Sequence, residues 1–143
     1  MSKSDTFEND LLKLIFNATA IANLADNAAS SPLTTLYVAL HTADPGEAGT
    51  QATSEISYTG YARVAVARTS GGWTITGASV SPVADISFPI STGGTGGTAG
   101  FASVGVAVSG ATKILYSGSL SPSIVVTTGV TPIITTGSTI TED

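Results

Sequence analysis

The hydrophobic period changes once along this chain, and that change limits the folds open to it. From Phe7 to Ala25, apolar residues recur at alternating spacings of four and three: Phe7, Leu11, Leu14, Ala18, Ile21 and Ala25. That spacing lays them along one stripe of an α-helix. Asp5 or Thr6 is placed to cap the helix N-terminus, with Glu8 as a capping-box partner three residues after Asp5. Asn27 is the expected stop, and Pro32 bars continuation. Beyond Pro32 the period is two. In "TTLYVALHT", Leu36, Val38 and Leu40 alternate with Tyr37, Ala39 and His41; in "YARVAVART", Val64 and Val66 alternate with Ala65 and Ala67. "WTITGASVS", "VADISFPI", "FASVGVAV", "KILYSGSL", "SIVVTT" and "TPIITT" continue the series, punctuated by Gly71-Gly72, Ser81-Pro82, Gly110, Ser121-Pro122, Gly129 and Gly137.

Short strands at roughly 8–12-residue spacing, with no second helix between them, disfavour an α/β winding. The expected fold is mainly β: an antiparallel β-sandwich with one N-terminal amphipathic α-helix. The helix and its arm take residues 1–30, and the sandwich domain takes residues 31–143. Pattern alone leaves a jelly roll and an immunoglobulin-like topology both open. Ser91–Gly100, "STGGTGGTAG", reads as a mobile or tightly looped connection.

Charge removes several classes of function. Charged residues make up 10% of the chain, against roughly 25% in an average soluble domain. Net charge is −5 with five Lys and Arg in total, so no basic stripe is available for nucleic acid. The absence of cysteine excludes disulfides, thiolate zinc sites and thiol nucleophiles. The polar, acidic opening "MSKSDTFEND" does not read as a secretory signal, and no apolar run approaches the roughly 20 residues of a membrane span.

The residues that could carry chemistry have simpler readings. His41 is the chain's one histidine and lies near Asp44, Glu47 and Glu55. Transition-metal sites want more nitrogen or sulfur ligands, and calcium loops want more closely spaced acids. Asp44-Pro45-Gly46 instead fits a type II turn, with Gly46 supplying the positive φ. Gly94–Ala99 matches the GxGxxG/A spacing of a dinucleotide loop, but the next segment alternates like a strand where a helix is required. "SGSLS" near Gly118 lacks the second glycine of a nucleophile elbow. Tyr58, Tyr61 and Trp73 could form a sugar-stacking platform, although such residues more often fill a core. No cofactor, metal or catalytic residue is therefore expected, and the chain does not read as an enzyme.

"LHTADPG", the acidic Glu55, "YTGYARV" and the following "GGW" together resemble a family of small tailed-bacteriophage virion structural proteins of the capsid cement or decoration type. The resemblance implies a jelly-roll-like sandwich that forms a homotrimer on the outer capsid surface. Such a protein is made in the host cytoplasm and stabilises contacts between copies of the major capsid protein, without nucleic-acid or membrane partners. A tail-fibre-like or receptor-binding virion module is the alternative. Under the cement reading the N-terminal segment is the candidate arm for a neighbour, with Phe7, Leu11, Leu14 and Ile15 as partner-binding residues, whereas a fibre module would use exposed loop aromatics and the glycine-rich loop to bind sugar.

Overall fold

The computed structural model describes residues 3–21, 24–25 and 32–142. It is mainly β, with one N-terminal helix, and the strand pairs Thr35–His41 with Gly97–Gly105, Trp73–Thr76 with Ser79–Pro82, Ser79–Pro82 with Ile140–Thr141, Ile86–Ser87 with Ile133–Ile134, and Gly97–Gly105 with Ile114–Val126 are antiparallel. That is the expected class. The chain divides into two compact units. One takes the chain up to Thr35, Val66–Asp85 and the segment from Thr135 onward; the other takes Leu36–Ala65 and Ile86–Ile134.

In the first unit, helix α1 runs from Asp5 to Asn17. Its cap is Ser4, one residue before the expected Asp5 and two before Thr6. Ser4 is extended (φ −83, ψ 150), and its Oγ accepts from the Phe7 N–H at 3.4 Å. That satisfies one of the first-turn donors a helix leaves unpaired. The helix also ends ten residues before the expected stop at Asn27, which lies outside the described residues. Ala18 turns left-handed (φ 54), and the Thr19 N–H closes back on the Lys13 carbonyl at 3.1 Å. Arg68 explains the early end. Its guanidinium donates to the Leu14 and Ile15 carbonyls and to the Leu33 carbonyl at 3.0 Å. A cation there supplies last-turn hydrogen bonds and meets the negative end of the helix dipole.

The buried face of α1 is also not the expected stripe. Glu8, Leu12 and Phe16 are buried, at i, i+4 and i+8; Phe7 is exposed, and Leu11, Leu14 and Ala18 are half-buried. Apolar residues cover more than half the helix circumference, so spacing alone selects an arc without saying which side meets the sheet. Ile21 and Ala25, expected on the same stripe, lie beyond the helix and bridge each other.

The buried side of α1 packs on a three-stranded sheet of β3 (Trp73–Thr76), β4 (Ser79–Pro82) and β9 (Ile140–Thr141), in the order β3-β4-β9. Phe16 meets Trp73 edge-on at 4.9 Å between ring centroids. Asn9 Nδ2 donates to the Gly77 carbonyl in the β3–β4 turn at 2.7 Å. Lys3 and Glu142 form an ion pair at 3.0 Å, and the Glu142 N–H donates to Ala78 O at 2.8 Å.

A four-stranded sheet has the order β2-β1-β6-β7, with β1 at Thr35–His41, β2 at Val64–Ala67, β6 at Gly97–Gly105 and β7 at Ile114–Val126. β5 (Ile86–Ser87) pairs with β8 (Ile133–Ile134). From Val38 onward β1 is buried on both faces. On the Tyr37, Ala39 and His41 side, Gln51 Nε2 reaches the Tyr37 carbonyl and the Thr53 carbonyl meets His41 Nδ1, so a simple alternation of buried and exposed positions is lost. The Ser121-Pro122 pair was expected to separate two strands; instead β7 runs through it. Proline lacks the ladder N–H, and β7 tolerates it because it is an edge strand. Its register against β6 slips there, between Ala99↔Ile124 and Phe101↔Ser119.

The glycine-rich loop is tightly held. The Thr59 N–H donates to Gly93 O at 2.8 Å, Thr92 N–H to Thr59 O at 3.0 Å, and Gly96 N–H to Ser57 O at 3.1 Å. β6 begins inside the glycine-rich stretch at Gly97, so the last four residues of that stretch are strand and not loop, and a strand stands where a dinucleotide site needs a helix.

Candidate functional site

The second unit gathers "LHTADPG", Glu55 and "YTGYARV" into one polar network. Leu40 to Thr42 pairs with Ser54 to Ile56: Thr42 N–H donates to Ser54 O at 2.8 Å, and Ile56 N–H to Leu40 O at 2.9 Å. Ser54 sits left-handed (φ 53) in that hairpin-like return, a conformation few non-glycine residues adopt. Gly46 has φ 69, as the expected turn requires, and its N–H donates to Asp44 Oδ1 at 2.9 Å. Asp44 is thereby committed to its own turn.

Arg63 is the hub. It is 6% exposed and precedes β2. Its Nε donates to Glu55 Oε1 at 2.7 Å and Nη2 to Glu55 Oε2 at 2.8 Å, a bidentate pair. Nη2 also donates to Gly110 O at 2.8 Å, and Nη1 to Ala107 O at 3.0 Å, Thr112 Oγ1 at 3.2 Å and Gln51 Oε1 at 3.3 Å. Tyr61 O–H donates to Glu55 Oε1 at 2.9 Å and accepts from the Leu40 N–H at 3.1 Å. Burial first, and then Glu55, hold that phenol far above its ordinary pKa, so it stays a donor. The hydrogen bond to Glu55 raises Arg63 further, against its burial. Gln51 Nε2 donates to Tyr37 O at 2.9 Å. A Cβ on Gly105 would stand 2.1 Å from the Gln51 amide carbon, so only glycine leaves room for that amide.

His41 is fully buried. Its Nδ1 donates to Thr53 O at 2.8 Å, which leaves Nε2 to accept from Ser103 Oγ at 2.8 Å. Burial is the main cause that holds its pKa below 6.5, opposed by Thr53 and Glu55. Protonation then favours the unfolded chain, whose imidazole is hydrated. The stability His41 contributes is complete above pH 6.5 and is lost as pH falls from there toward the folded pKa. Urea unfolding at pH 7.5 and 5.5 checks this: the loss on acidification is expected to be smaller in His41→Gln than in the wild type. Equal losses would show that His41 does not titrate in this window.

A general base or nucleophile needs a lone pair or proton facing a substrate. Here both His41 nitrogens, the Tyr61 hydroxyl and all three Arg63 nitrogens are engaged internally. Among the described residues, no three His, Asp or Glu side chains converge as metal ligands. The proposed aromatic platform does not form: Tyr58 and Trp73 are buried, and Tyr61 is half-buried, stacked on Phe88 at 6.3 Å. The network ties residues 51–55 and the 107–112 loop to the start of β2. Gln51, Ser103 and Thr112 carried no sequence signal among so many neutral polar residues. Arg63 did carry one, as a cation in an otherwise apolar alternating run.

Of the expected partner-binding residues, Phe7 is 38% exposed, and Leu11, Leu14 and Ile15 are half-buried. No described helix is long and apolar enough to cross a membrane. Residues 2–142 match the model of a family described as podophage GP4 fiber I protein gp80. The chain belongs to that family. It is therefore a phage virion structural protein, and the membership points to a structural role in place of catalysis. The fibre description agrees better with the fibre-like alternative drawn from the sequence than with capsid cement. No match was found among curated proteins.

Proposed function

We propose that this chain is a non-enzymatic, fibre-type subunit of the phage virion, working through shape and through contact with its neighbours. The observation that carries the reading is the fibre-family match across residues 2–142. The closed Arg63 network agrees with it, because the family-like motif is spent on internal support. Within this reading, the outer arc of α1, with Phe7, Leu11, Leu14 and Ile15, seats against an adjacent virion protein. Its support is that unit one buries the other arc and leaves Phe7 outward.

Cryo-electron microscopy of virions carrying a tagged copy tests the assignment. Labelled density is expected on projecting fibres. Density confined to an ordered lattice of trimers bridging major capsid proteins would replace this reading with capsid cement.

A further inference from the structure

Helix α1 carries a charge pattern that its own packing leaves unused. Phe7, Leu11, Leu14 and Ile15 lie along its outer arc at i, i+4, i+7 and i+8, the anchor spacing of a helix seated in a groove. Acids border that arc on both sides. Asp10 is three residues from Phe7 and four from Leu14, and Glu8 is three from Leu11 and seven from Ile15. At about 100° per residue, the two acids stand roughly 80° to either side of the arc's centre, and Lys13, the one base in α1, stands roughly 140° away. Attraction to the helix dipole accounts for Asp5 and Glu8, which lie in the first turn. It fades beyond that turn, where Asp10 lies.

Glu8 supplies a second, independent sign of a partner. It is 7% exposed, at the seam between the buried arc and the outer one, and meets no cation among the described residues. A buried carboxylate is unfavourable without a compensating charge or donor. A second copy of this chain is a poor source of that charge. Arg63 and Arg68 engage their guanidinium groups inside the protein, and Lys3 pairs with Glu142. Unit one holds seven acids against three bases, and unit two three against two, so another copy offers the arc no basic counterpart. Nucleic acid and anionic lipid carry the same sign of charge as the two acids and are disfavoured for that reason.

We infer that the outer arc of α1 docks into a groove on a different virion protein, one that is apolar along its floor and carries Lys or Arg at both rims. The inference rests on the docking role proposed above for this arc, and it adds the chemistry of the partner. Phe7, Leu11, Leu14 and Ile15 supply the apolar contact, while Glu8 and Asp10 meet the rims. Opposed charges of this kind fix register and suppress wrong partners.

Phage carrying single substitutions test this by the amount of the chain retained in purified virions. Asp10→Lys sets like charges against a basic rim and is expected to lower incorporation roughly tenfold or more. Asp10→Asn only removes a charge and is expected to lower it about threefold. Lys13→Glu, off the arc, is expected to leave it unchanged. Circular dichroism of the purified full chains confirms that each variant keeps its fold. Benzoylphenylalanine in place of Phe7 identifies the neighbour: irradiated virions are expected to show a cross-link to another virion protein, at a site flanked by Lys or Arg. Normal incorporation of Asp10→Lys beside loss of Phe7→Ala would overturn the basic groove and leave the arc as a docking surface. Normal incorporation of both variants would remove the arc itself, and the inference with it. A cross-link to a second copy of this chain, or to a site without flanking Lys or Arg, would overturn the inference as well.

Discussion

Arg63→Ala is expected to lower the unfolding free energy by roughly 3–5 kcal/mol, the usual cost of removing one partner of a buried ion pair. Arg63 has nearly the whole of its guanidinium inside the protein, whereas the Glu55 side chain keeps 18% exposure. Removing Arg63 strips the bidentate partner from Glu55 and leaves the Ala107 and Gly110 carbonyls without their side-chain donor. A domain of this size is stable by only about 5–15 kcal/mol, so the midpoint of thermal unfolding is expected to fall by on the order of 10 °C. Arg63→Lys keeps the charge but has no planar fork to span Glu55 and two loop carbonyls at once. It is expected to recover less than half of the loss. Replacing Glu55 and Arg63 together by methionine is expected to cost less than the sum of the single changes, because neither leaves a charge stranded. Urea unfolding followed by circular dichroism measures the wild type, Arg63→Ala, Arg63→Lys, the two single methionine changes and the double change. If Arg63→Ala stays within about 1 kcal/mol of wild type, the loops do not depend on this hub.

That hub shows where sequence reasoning ran out. The β class was legible because short β-rich runs broken by glycine and proline fill the chain after Pro32, and β2, β3 and β4 keep a period of two in their burial, although the longer β1, β6 and β7 do not. The helix was legible in kind, but its limits were not. Its C-terminal turn is satisfied by Arg68, some fifty residues downstream, and no local pattern encodes that partner. Its buried side was ambiguous because Phe7, Leu11, Leu12, Leu14, Ile15 and Phe16 spread apolar character over adjoining arcs. "LHTADPG" and "YTGYARV" were legible as markers of a virion protein. Their joint purpose was not, because Gln51, Ser103 and Thr112 look like any other neutral polar residue until the fold brings them to Arg63 and His41. The strand through Pro122 was missed for a related reason: only sheet order reveals that β7 is an edge.

Two phenylalanines on the same helix are expected to part company. Phe16 is fully buried and meets Trp73 edge-on, so Phe16→Ala is expected to cost about 3–5 kcal/mol through lost burial and the cavity left behind. Trp73 Nε1 is buried with no hydrogen-bond partner among the described residues. This corner of unit one therefore rests on shape and on the ring pair, which leaves it poorly able to absorb a truncation. Phe7→Ala, at an exposed site, is expected to change stability by no more than about 0.5 kcal/mol. Deleting the segment through Phe16 would remove both residues and confuse folding with docking; the two point substitutions keep them apart. Chemical unfolding should rank Phe16→Ala far below Phe7→Ala, while incorporation into virions at permissive temperature should fall for Phe7→Ala despite its intact fold. Normal incorporation of Phe7→Ala would remove the outer arc of α1 from the virion contact, and a stability loss matching that of Phe16→Ala would make both arcs part of the core.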